Sequence, residues 1–147
     1  MIVRTDFPVL YPNRVRFIEV DRQGILHNAH YFMYFGIGLN EYFRELGYDR
    51  VGRGDRDGTA LHTVTATVNY RLPLVFDELI HIGARISRLG NTSAKFSFGL
   101  FKEGLEEPAA TGEQVWVHTD KATQKGKPWP EDFISLVTDF QAGDVER

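Results

Sequence analysis

The chain has 147 residues, 42% hydrophobic and 13% aromatic, enough to bury one core and too few for two comfortable ones. A formal charge of −3 provides none of the broad basic field that draws proteins onto nucleic acid. The lack of cysteine excludes disulfides and thiolate metal sites and fits a reducing compartment. The N-terminal "MIVRTDFPVLYP" has no long apolar stretch or small-residue cleavage site, so no secretory signal is expected and a cytoplasmic location is.

In chain order, "NRVRFIEVD" (13–21) carries Val15, Phe17, Ile18 and Val20 in a β-rich, partly alternating run and predicts the first strand. From Asn28 the period changes. Phe32, Phe35, Leu39, Tyr42 and Leu46 recur at three and four, with Met33 and Ile37 widening the apolar face, so a mostly buried helix is expected. Asn28 is a favoured cap type, Gly47 a stop, and Asn40, Glu41, Arg44 and Glu45 exclude a membrane span. Gly36 and Gly38 each cost such a helix roughly 1 kcal/mol against alanine. Their presence fits a close approach of the helix backbone to a sheet.

The Gly-, Asp- and Arg-rich "VGRGDRDGT" (51–59) predicts a mobile lid or crossover loop, and it lacks the lysine and spacing of a phosphate-binding P-loop. In "HTVTATVNY" the even positions Val64, Ala66, Val68 and Tyr70 are apolar and the odd ones polar, the pattern of a half-buried strand ending near Pro73. "ELIHIGARISRL" (78–89), "SAKFSFGLF" (93–101) and "AATGEQVWVHTD" (109–120) follow around turns at Gly90–Asn91 and Gly104, an antiparallel meander. A short helix is expected after Pro130, with "AGDVER" frayed. The sum is an α+β fold: a curved antiparallel sheet of about five strands around one long helix, as a single domain over 1–147.

The chemistry concentrates in "EVDRQGILHNAHYFMYF" (19–35). A turn at Gly24 brings Asp21 back toward the free backbone N–H groups around Asn28. Their partial positive charge suits a carbonyl held beside the carboxylate. The competing reading is that Asp21 merely caps the turn. His27 and His30 lie three apart with no third ligand at helical or hairpin spacing, so no metal is expected and the pair is placed at a pocket mouth or in solvent. His62, His81 and His118 fall within strands, away from any serine or cysteine nucleophile motif.

The segments "VDRQGILHNAHYFMYF", "VNYRLPLVFDELIHIGARISRLGNTSAKFSF" and "ATGEQVWVHTD" resemble a hotdog-fold protein of the 4-hydroxybenzoyl-CoA thioesterase-like superfamily, over roughly residues 12 to 121. The resemblance implies a thioester hydrolase. The aspartate at Asp21 would attack the thioester carbon or activate water, the turn would form at Gly24, and the backbone N–H at Asn28 would hold the thioester oxygen. Ile25 and His27 depart from the family's usual histidine and asparagine at those positions. Arg88, Asn91, Thr92 and Lys95, around "SRLGNTSAK", match a segment that often helps form the pantetheine and nucleotide groove, and Tyr31 and Thr65 are further substrate-binding candidates. The implied substrate is an acyl-CoA, without metal or other cofactor. The implied assembly is a homodimer or homotetramer, since hotdog sites lie between subunits. Two alternatives stand beside it: a hotdog dehydratase on hydroxyacyl thioesters, with Glu41 as an acid, and a non-catalytic acyl-thioester binding module.

Overall fold

Strands Val9–Arg14 (β1), Thr59–Tyr70 (β2), Leu79–Leu89 (β3), Ser93–Lys102 (β4) and Ala110–Asp120 (β5) form one antiparallel sheet in the order β1-β3-β4-β5-β2. Three α-helices accompany them: His30–Leu46 (α1), Arg50–Asp57 (α2) and Glu131–Phe140 (α3). The structure is a computed structural model describing residues 1–147. The expected α+β class, strand number and β3-β4-β5 meander are all present. No helix is long and apolar enough to cross a membrane.

Contacts group the chain into two compact units. The first comprises Met1–Tyr42, Thr67–Arg85 and Phe98–Gly112. Within it β1 runs antiparallel to β3, Val9 opposite Ala84 and Arg14 opposite Leu79. Pro12 is tolerated there because β1 is an edge strand. Gly38 is the point of close approach of α1: a Cβ on it would stand 2.6 Å from Ile82 Cγ2. Phe35 stacks on Phe98 with centroids 4.8 Å apart, and Gly112 leaves the space its ring occupies. Tyr34, Phe35 and Tyr42 are fully buried, each such ring contributing on the order of 1.5–3 kcal/mol by leaving water.

The second unit comprises Phe43–Ala66, Ile86–Ser97 and Glu113–Arg147. Its core is aromatic. Phe133 of α3 lies against Phe43, Tyr48 and Trp129, and His118 stacks on Trp129 at 4.8 Å with Nδ1 2.8 Å from the Lys127 carbonyl oxygen. Outside it, Arg53 pairs with both Asp57 (2.7 Å) and Asp132 (2.6 Å).

Four expectations need correction. The first strand lies earlier than 13–21: beyond Arg14 the chain turns through a 3-10 helix at Phe17–Glu19, with Phe17 and Ile18 exposed. Glu19 causes this, since its buried carboxylate accepts the Arg16 amide at 2.9 Å and so bends the chain instead of extending it. Residues 51–59 are not a loop: Thr59 already opens β2, and 51–57 are most of α2. Asp49 caps its start by accepting the Gly52 amide at 3.0 Å, and Gly58, at φ +66°, ends it in the left-handed conformation. Strand β2 is not half-buried within the chain: it is an edge strand, and Val64 and Tyr70 are 56% and 54% exposed. The tail is not frayed, for Glu146 donates its amide to Ser87 O (3.0 Å) and accepts from Leu89 N (2.7 Å).

Candidate active site

Residues 19–27 double back as a tight ribbon. Val20 bridges Leu26, Asp21 N donates to Ile25 O at 2.8 Å, and Gly24 N donates to Asp21 O at 3.0 Å. Gly24 takes φ +77°, a conformation that side chains resist. The ribbon is fastened to the segment before β3: Leu26 N donates to Leu74 O at 2.7 Å, and Phe76 N to Gly24 O at 3.0 Å. The Asp21 carboxylate faces two ways in its contacts. Its Oδ1 accepts the Gln23 amide at 2.8 Å and the Ile25 amide at 3.3 Å, which is the turn cap; Oδ2 takes no hydrogen bond from the chain.

Asp21, Asn28 and Tyr31 line one cavity of about 530 Å³. Ile25, Leu26, His27 and the run Tyr70–Pro73 complete its wall. Helix α1 begins at His30, two residues after Asn28, and the side chain that supports its start is His27, whose Nδ1 accepts the Ala29 amide at 3.2 Å. His30 N donates to His27 O and Tyr31 N to Asn28 O. The Asn28 N–H itself, in the turn that leads into α1, has no acceptor within the chain. Tyr31 is buried and meets Tyr70 edge to face with centroids 4.8 Å apart. Burial, helped by Tyr70, raises the Tyr31 phenol above its ordinary value, so it remains a neutral donor.

Behind the ribbon stands Glu19, 2% exposed. Its Oε1 accepts the Tyr34 hydroxyl at 2.7 Å and its Oε2 lies 2.9 Å from Arg16 Nη2. Burial by itself would raise this carboxyl; hydrogen bonds from Arg16 and Tyr34 outweigh it and hold the group below the ordinary glutamate value.

The other sequence candidates lie elsewhere. Thr65 is exposed on β2 and does not line this cavity. Arg88 is 60% exposed, 3.8 Å from Glu146, and Lys95 Nζ is 2.8 Å from Glu113. Asn91 and Thr92 hold the hairpin end through their carbonyls, accepting Trp129 N and His118 N. Glu41, half-buried on α1, is not in the cavity wall either. Sequence reasoning missed Tyr70 and Arg71, whose only signal was the Pro73 break, and the Glu19–Tyr34 pair, for which a buried carboxylate gives no periodic mark.

The model of the Thioesterase-like superfamily matches residues 15–137. The chain belongs to the thioesterase-like superfamily. This superfamily member is 30% identical over 114 residues to a protein of Aquifex aeolicus (strain VF5) named "Putative esterase", covering 78% of the chain and 88% of that protein. It is 32% identical over 108 residues to the acyl-acyl carrier protein thioesterase ATL3, chloroplastic, of Arabidopsis thaliana, covering 71% of the chain and 55% of that protein. The crystal structure of PA5185 from Pseudomonas aeruginosa strain PAO1 matches with a TM-score of 0.80 at 26% identity, covering 95% of each chain. Thioester hydrolysis is the chemistry that this membership supports, and the hotdog fold expected from residues 12 to 121 is the fold found.

Proposed function

We propose that the protein hydrolyses an acyl-CoA thioester to the free acid and CoA, with Asp21 as nucleophile or general base and the Asn28 N–H as oxyanion donor. One observation carries this reading: a carboxylate oxygen and a backbone donor, both without partners in the chain, belong to residues lining the same cavity. In the nucleophilic route Oδ2 attacks the thioester carbon, the C–S bond breaks to expel the thiolate, and water then cleaves the acyl-aspartyl anhydride. In the general-base route the carboxylate removes a proton from the attacking water. In both, negative charge grows on the thioester oxygen, and a donor that needs no rearrangement stabilises it most. Gly24 serves by allowing the turn that holds Asp21.

Tyr31 forms part of the acyl wall in this reading, and Arg88, Asn91, Thr92 and Lys95 are proposed for the nucleotide end of CoA. The Arg88 and Lys95 ion pairs are surface pairs worth little, so phosphates can displace them. The assembly is proposed to be a homodimer, or a homotetramer built from two dimers, of single-domain chains. The exposed apolar side chains of edge strand β2 support a second copy as their cover.

The test is thiol release over a panel of acyl groups, each presented on CoA, on acyl carrier protein and as a short thioester without nucleotide. Acyl-CoA should be the preferred form, and Arg88→Ala or Lys95→Ala should raise KM for acyl-CoA alone. Preference for the acyl carrier protein, or equal effects on all forms, would reject CoA recognition by those residues.

A further inference from the structure

We infer that Glu19 and Tyr34 are positioning residues for the reaction, setting the Asp21–Asn28 geometry from behind the ribbon; the inference rests on the catalytic reading of Asp21. A buried carboxylate costs stability unless it is paired and hydrogen-bonded. Glu19 meets that cost with three donors: the Arg16 amide, the Arg16 guanidinium and the Tyr34 hydroxyl. The same residue's backbone carbonyl accepts the His27 amide at 2.9 Å. Glu19 therefore precedes Asp21 by two residues on one side of the ribbon and grips the residue before Asn28 on the other.

Tyr34 makes that grip rigid. It is fully buried on α1, four residues into the helix whose start presents Asn28. Its hydroxyl ties the Glu19 carboxylate to the helix at 2.7 Å, so the ribbon and the helix start cannot drift apart without breaking a charge-assisted hydrogen bond. Neither side chain lines the cavity, so neither touches substrate. Small displacements of groups that must face one carbon have large kinetic consequences.

The experiment is a double-mutant cycle in single-turnover thiol release. Tyr34→Phe removes one oxygen and keeps the ring; Glu19→Gln, a second variant, keeps the shape and an acceptor while removing the charge. Either should lower kcat by roughly 10-fold or more at near-constant KM, with the cavity still binding a non-hydrolysable thioester analogue as wild type does. In the Asp21→Asn background the same change should cost markedly less, because the carboxylate being positioned is already gone. A loss that multiplies independently of Asp21→Asn, no loss in either variant, or a loss that follows only the unfolded fraction on thermal melting would overturn the inference. If Asp21→Asn alone turns over at the wild-type rate, the catalytic reading of Asp21 falls and takes this inference with it, an outcome distinct from the others.

Discussion

Tyr31 and Tyr70 meet edge to face across the wall of the Asp21 cavity, with ring centroids 4.8 Å apart and planes at 87°. Tyr31 is fixed by burial on α1, whereas Tyr70, at the end of β2, is half exposed. The more exposed ring is the one whose removal enlarges the cavity without emptying the core. Tyr70→Ala should shift the ratio of kcat/KM for a bulky over a small acyl thioester by about 10-fold toward the bulky one, within the range that pocket shape can supply. An unchanged ratio would remove this pair from the acyl wall.

The two glycines near the middle of α1 should behave oppositely. A Cβ at Gly36 would meet nothing within 4 Å, so Gly36→Ala should stabilise the fold by roughly 0.5–1 kcal/mol through the backbone entropy of the unfolded chain. At Gly38 a Cβ would press on Ile82, and Gly38→Ala should cost about 1–3 kcal/mol as an overpacked contact. Urea melts of the two variants measure both signs, and a stabilised Gly38→Ala would show that the helix shifts freely on the sheet.

The legibility of the fold followed the periodicity. α1, β3, β4 and β5 are readable because each repeats apolar residues at its own period and buries them in the chain, and α3 because Pro130 marks its start. The first strand was misplaced because Phe17 and Ile18 are apolar yet exposed, and because the bend that ends extension comes from a side-chain hydrogen bond of Glu19, which no pattern records. β2 alternates as a half-buried strand does, but its apolar side chains find no cover inside one chain. α2 carries its capping signals, Asp49 and Gly58, and composition obscured them. At the proposed site, Asp21, Gly24, Asn28 and Tyr31 are local in sequence, so one stretch brings them to notice together. Tyr70 and Arg71 reach the cavity by the return of a distant strand, which only the fold reveals.

Glu19 gives the stability a specific pH dependence. Its folded value lies below the ordinary glutamate value, so its contribution is fully present above the unfolded value of about 4.3 and is lost as pH falls through the folded one. Wild type should therefore lose its advantage over Glu19→Gln as pH drops from about 5 downward, with the two melting temperatures converging. A gap that stays constant across that range would mean that Glu19 is equally acidic folded and unfolded.

The central claim is that the Asp21 carboxylate does the chemistry rather than merely closing the turn. Asp21→Asn separates the two, because the amide oxygen can still accept from Gln23 N and Ile25 N while the free carboxylate oxygen is lost. Single-turnover thiol release, run beside calorimetric binding of CoA, is the measurement. The expected result is a fall in kcat of at least ~100-fold with folding and CoA affinity nearly unchanged. Hydrolysis by the mutant at a rate similar to wild type would contradict the mechanism and leave Asp21 as a turn cap.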